Sequence, residues 1–104
     1  MRKISALSIT KRYLDALAKE GLPVQKVYLY GSYASDTAHE DSDIDIAVVC
    51  VPFKGTRHEE NMELRRIRRD IDPNISPYCF HADDFNNDFF ALPHEVIRHG
   101  IEVS

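Results

Sequence analysis

The chain has 104 residues, enough for one hydrophobic core, and its 43% hydrophobic and 29% charged residues are ordinary for a soluble globular domain spanning 1–104. A formal charge of −4 and a pI near 5.7 argue against strong nucleic-acid binding, which draws on Lys and Arg to neutralise phosphates. No apolar run approaches the roughly 20 residues that span a bilayer, and the N-terminus lacks the apolar core of a signal peptide. Cys50 and Cys79, without Cys-x-x-Cys or His spacing suited to zinc, read as core thiols of a reducing compartment, so the expected location is cytoplasmic, with no membrane partner.

In chain order, Ser5 to Glu20 has the spacing of an amphipathic helix with Leu7, Leu14, Leu17 and Ala18 on its core stripe, ended by Gly21 and Pro23. Val24 to Tyr30 reads as a buried strand. Ser32 to Ala38 then starts as the first turn of a short helix, and the acidic loop Glu40 to Asp43 leads into a second strand through Val51. Pro52-Phe53-Lys54-Gly55 breaks it. Thr56 and Glu59 match a capping box and open a helix on which Leu64, Ile67 and Ile71 recur. Ile75 to His81 is the third strand, placed at an edge by Pro77, which has no N–H for a ladder. The remainder predicts loops and one or two short helices, with Phe85, Phe89, Phe90, Leu92, Val96 and Ile97 closing the core. Helices interleaved with few strands imply an α/β (α+β) fold, a small mixed sheet flanked by helices.

Chemistry concentrates at Gly31-Ser32 and Asp43-Ile44-Asp45. A glycine between strand and helix lets backbone approach a ligand, and the amides of a helix start favour a phosphate, with the Ser32 hydroxyl as a further donor. Alone this pair is more ordinarily a tight turn. Strand alternation puts Asp43 and Asp45 on one face, about 6.5 Å apart along the chain, opposite Ile44, Ile46 and Val48. Paired carboxylates repel, and Mg2+, which takes a few carboxylate oxygens at about 2.0–2.1 Å and leaves positions for phosphates, relieves that repulsion. The competing reading makes Asp41-Ser42-Asp43 a loop whose side chains bond their own backbone. Asp45 resists it, because an acid inside an apolar strand is costly unless exposed or coordinating.

Gly31-Ser32, a spacer, then Asp43-x-Asp45 at a strand start resembles the DNA polymerase β-like nucleotidyltransferase superfamily, and the short length resembles its minimal nucleotidyltransferase (MNT) branch. The resemblance runs from the opening helix to the closing His99-Gly100-Ile101-Glu102. It implies a nucleotidyltransferase fold, phosphate binding by Gly31 and Ser32, and Mg2+ held by Asp43 and Asp45 as the catalytic pair. It further implies ATP as substrate, transfer of AMP to a hydroxyl of a protein, and a HEPN-domain partner, the chain being the antitoxin of a toxin–antitoxin pair. Two departures stand out. Ser35 and Asp36 replace a basic residue and a glycine, and Ser76 occupies the position expected of a third acid, with Asp70 or Asp72 a less favoured stand-in. A serine cannot take the acceptor proton efficiently near neutral pH. The alternative is therefore a catalytically degenerate binding module that neutralises its partner by contact. Homo-oligomerisation is left open.

Other features read more plainly. Arg65, Arg66, Arg68 and Arg69, among Glu59, Glu60, Glu63 and Asp70, form a basic cluster best explained as a solvated, internally paired helix face. The five histidines are scattered, as surface or hydrogen-bonded residues rather than ligands.

Overall fold

The computed structural model describes residues 3–35, 37–39 and 42–103. Its elements are α1 (Lys3–Lys19), β1 (Val24–Tyr30), a 3-10 turn (Gly31–Tyr33), β2 (Ile44–Cys50), α2 (Arg57–Arg68), β3 (Ile75–Phe80), a 3-10 segment (Ala82–Asn86), α3 (Ala91–His99) and β4 (Ile101–Glu102). The sheet order is β3-β2-β1-β4. β1 runs antiparallel to both β2 and β4, whereas β2 and β3 are parallel and joined by the helical crossover such a pair needs. This is the expected small mixed sheet.

Strand alternation divides the side chains between two layers. Val27 and Leu29 of β1, Ile44, Ile46, Val48 and Cys50 of β2, and Ile75 and Cys79 of β3 pack against α1 and α2. On the other face Ala47, Val49 and Phe80 meet Val96 of α3, with Tyr28, Tyr30, Tyr78, Phe85, Phe90 and Leu92 around them. The rings of Tyr78 and Phe80 are 4.7 Å apart and Phe90 lies 5.9 Å from Phe80. Phe89 corrects the expected core, being 99% exposed, and Ile97 is 54% exposed. Phe89 sits in the turn before α3 and faces solvent, while Phe90, at the N-cap of α3, is the ring packed, partly buried, against Phe80.

The buried stripe of α1 is Ala6, Thr10, Tyr13 and Leu17. Leu7 and Leu14 only flank it, and Ala18 is exposed. Spacings of four, three and four residues follow one helix face, and position 18 falls about 100° from Leu17. The polar members are satisfied in place: the Thr10 hydroxyl donates to the Ala6 carbonyl at 2.7 Å, and the Tyr13 hydroxyl to the Leu64 carbonyl of α2 at 2.6 Å. Gly21, at φ +77°, ends the helix: its N–H bonds the Ala18 carbonyl, and that of Leu22 bonds the Leu17 carbonyl. This is the doubly bonded C-terminal cap that a left-handed residue permits.

Thr56 caps α2, accepting from the Glu59 N–H at 3.1 Å. The box is only half reciprocal, because the Glu59 carboxylate accepts from the Thr56 hydroxyl instead of the backbone N–H. The helix ends at Arg68, so Ile71 packs on the core from the turn beyond it. β3 is an edge strand, as Pro77 predicts.

Candidate active site

β1 delivers the chain to Gly31 with φ +72°, a conformation a side chain would strain. The turn that follows is held by hydrogen bonds from the Ala34 and Ser35 N–H groups to the Gly31 carbonyl and from Thr37 N–H to the Ser32 carbonyl. The Ser35 hydroxyl lies 3.2 Å from the Gly31 carbonyl and 2.9 Å from Thr37 Oγ1. Ser35 therefore braces the turn at a position where a basic side chain would reach outward. With only three residues, Gly31–Tyr33 builds no appreciable macrodipole to attract an anion. What the turn offers is the amides of Ser32 and Tyr33, which precede any carbonyl able to receive them within it.

Asp45 is next to this turn. A Cβ on Gly31 would stand 2.1 Å from Asp45 Oδ2, so the missing side chain is the space the carboxylate occupies. Asp45 is half-buried, and its carboxyl is pushed above the ordinary range by desolvation first and by the charge of Asp43 second. The structure thus brings Gly31 against Asp45 and Asp43 into electrostatic reach of it. Asp43 itself is exposed, one residue before β2 begins. The loop reading is also partly realised, since the Ser42 hydroxyl accepts from the His39 N–H at 2.7 Å. Asp36, Glu40 and Asp41 lie outside the described residues.

Across the sheet, Asp45 pairs with Tyr30 on β1 and Ser76 on β3, which puts all three on one face. Ser76 thus lies beside Asp45 on that face. Asp72 is occupied elsewhere, accepting from the Asn74 N–H at 2.8 Å, and Asp70 is exposed. Burial, the Asp45 charge and Tyr78 push the Tyr30 hydroxyl up to about 12, so it stays protonated at neutral pH. Tyr30 and Gly31 also wall a cleft of about 420 Å³ completed by Ser35 and, from α3, Leu92, Glu95 and His99. The sequence held no signal for the α3 wall, some sixty residues from the turn it faces.

The arginine cluster lies elsewhere. α2 packs on the sheet face opposite Asp45, and there Arg66 pairs with Glu63 and Glu20 while Arg68 donates to the Ile75 carbonyl at 2.6 Å. Those contacts favour the solvated, paired reading for these two residues. No described helix is long and apolar enough to cross a membrane.

Solved structures share this architecture. A chain from a toxin-antitoxin crystallised with AMP-PNP superposes with a TM-score of 0.67 at 23% identity, over 91% of this chain and 72% of that one. A putative nucleotidyltransferase from Sulfolobus solfataricus gives 0.65 at 20% identity, covering 96% and 80%. The toxin-antitoxin MntA-HepT gives 0.60 at 18%, covering 92% and 69%. At these identities the likeness is one of fold, and it agrees with the resemblance to minimal nucleotidyltransferases. No curated protein matches the chain. The model of the nucleotidyltransferase domain family matches residues 10–87, a span that includes Gly31, Ser32, Asp43, Asp45 and Ser76, and the chain belongs to that family.

Proposed function

We propose that the chain binds ATP with Mg2+ at Gly31, Ser32, Asp43 and Asp45 and transfers AMP to a hydroxyl of a partner protein, as the antitoxin of a HEPN/MNT pair. The observation that carries this reading is the Asp45 carboxylate packed in the space of a Gly31 side chain, with Asp43 repelling it. A half-buried, repelled carboxylate beside a backbone turn fits a divalent cation that phosphates complete. Mg2+ held there supplies Lewis-acid polarisation of the phosphates and lowers the pKa of the incoming hydroxyl. Gly31 keeps the approach to the acids free of side-chain atoms, and the Ser32 and Tyr33 amides face charge on the phosphates. The Tyr30 cleft has room for the nucleoside. In the transfer, an acceptor hydroxyl gives its proton to water as its oxygen bonds the α-phosphorus, the bond from that phosphorus to the β-phosphate bridge breaks, and pyrophosphate leaves. MntA-HepT and the AMP-PNP-bound toxin-antitoxin support the choice of nucleotide and partner class by shared fold.

Ser76 favours a second reading, a nucleotide-binding module that neutralises its partner by contact. It pairs directly with Asp45 yet offers a hydroxyl where a carboxylate would receive the acceptor proton. Incubation with labelled ATP, Mg2+ and the protein encoded beside this one separates the two readings. Label on the partner is expected from the enzyme; a stable complex without label supports the module. Ser76→Asp is expected to raise transfer tenfold or more, in the range that a positioned general base contributes. Equal rates would show that the serine limits nothing.

A further inference from the structure

We propose that Glu60, Cys79 and His81 form a Zn2+ site with its fourth position open to water, on the face of the sheet under α1 and α2, at the far end of β2 from Asp43 and Asp45. One ligand atom from each of the three lies within 4.8 Å of the others. Glu60 Oε1 is 2.7 Å from His81 Nε2 and 3.8 Å from Cys79 Sγ. Cys79 is fully buried. Glu60 is 1% exposed, a depth at which a carboxylate needs partners. Its Oε2 has them in the Phe53 and Lys54 N–H groups, at 2.7 and 3.4 Å, so Oε1 is left aimed at the imidazole and the thiol.

A thiol, an imidazole and a carboxylate make the three protein ligands of an open tetrahedral zinc site, and the sulfur disfavours hard cations such as Mg2+ or Ca2+. Arg57 Nε lies 3.8 Å from Glu60 Oε1, buried and with no hydrogen-bond partner among the described residues. A buried orphan N–H is costly, and a metal-bound thiolate or carboxylate there would receive it.

The protons can be followed. Arg57 Nη2 can only donate, so at 3.0 Å it makes His81 Nδ1 an acceptor, and Nε2 carries the hydrogen given to Glu60. On binding, the Cys79 thiol proton leaves to solvent and the imidazole proton moves from Nε2 to Nδ1, which frees the Nε2 lone pair for the metal. Arg57 must then release Nδ1 to Asp84, whose carboxylate already pairs with Arg57 at 3.0 Å and accepts the His81 backbone N–H at 2.8 Å. That yields the carboxylate–histidine–metal arrangement that orients ligating imidazoles. A cleft of about 370 Å³ lined by Cys50, Pro52, Arg57, His81 and Asp84 provides access from solvent.

The test uses the full chain, stripped of metal and titrated with Co2+ as a spectroscopic stand-in. The expected result is one equivalent bound, with thiolate-to-cobalt charge-transfer absorption and intense tetrahedral d–d bands that one equivalent of Zn2+ abolishes. Cys79→Ser should remove the charge-transfer absorption and weaken binding at least tenfold while leaving Mg2+ and ATP binding unchanged. Absence of thiolate bands in the unmutated chain overturns the proposal whatever the variant does. Bands that persist undiminished in Cys79→Ser overturn it as well.

Discussion

A methyl group at Gly31 would have to share space with Asp45 Oδ2, 2.1 Å from where its carbon would be, on a backbone at φ +72°. Both effects act in one direction. The left-handed conformation costs a residue with a side chain about 1–2 kcal/mol, and the clash pushes the carboxylate off its position. Gly31→Ala is therefore expected to lower the stability of the cation-free protein by about that amount, read by urea unfolding, and to weaken Mg2+-dependent ATP binding at least tenfold. Unchanged ATP affinity would mean that the carboxylate position does not matter to the nucleotide. The contrast with Gly21 is instructive: it has φ +77° with nothing within 4 Å of a built Cβ, so a substitution there strains backbone alone.

The second helix shows how far local signals reach at the scale of elements. Thr56→Ala removes the acceptor of the Glu59 N–H and is expected to cost about 1 kcal/mol, read as a lower urea midpoint with unchanged slope. A neutral result would show that the Phe53 and Lys54 N–H bonds to Glu60 already fix the start of α2. Strands β1 to β3, helix α2 and the edge position of Pro77 were legible because periodicity, caps and proline act within a few residues. β4 was not, since the pairing of Ile101 and Glu102 with Leu29 and Tyr28 is a property of the assembled sheet. Nor was the exposure of Phe89, which depends on which neighbour α3 admits. At the site, Gly31, Ser32, Asp43 and Asp45 carried local signals and Ser76 was singled out by the family resemblance, whereas Glu95 and His99 reach the cleft only through folding. Glu60 did leave a trace: positions 60, 64, 67 and 71 fall on one stripe, and an acid among Leu64, Ile67 and Ile71 signals a partner waiting inside. The outer edge of β3 shows what α2 does besides filling the core. Arg68 takes the Ile75 carbonyl, Asn61 the Cys79 N–H and Arg57 the Cys79 carbonyl, while Pro77 has no N–H, so this edge offers little to a passing strand.

For the whole molecule, the two faces of the sheet divide stability from chemistry. The face under α1 and α2 carries the larger buried cluster, whereas the α3 face ends at Asp45, whose carboxyl desolvation and the charge of Asp43 push above the ordinary range. Because its pKa is raised on folding, Asp45 lowers stability when ionised, and that penalty disappears as pH falls through its folded value. Asp45→Asn mimics the protonated form, so the variant is expected to melt a few degrees above the unmutated chain when no divalent cation is present. Ligand linkage should reverse the order. Mg2+ and ATP at a hundred times the dissociation constant stabilise a chain that binds only when folded by about 2.7 kcal/mol. At about 4–8 °C per kcal/mol for a domain of this size, the midpoint should rise by roughly 10–20 °C. Asp45→Asn should lose most of that rise, so the two melting curves exchange places when Mg2+ and ATP are added together. If the variant gains as much as the unmutated chain, Asp45 holds no cation for the nucleotide, and the raised carboxyl is only a defect in the core.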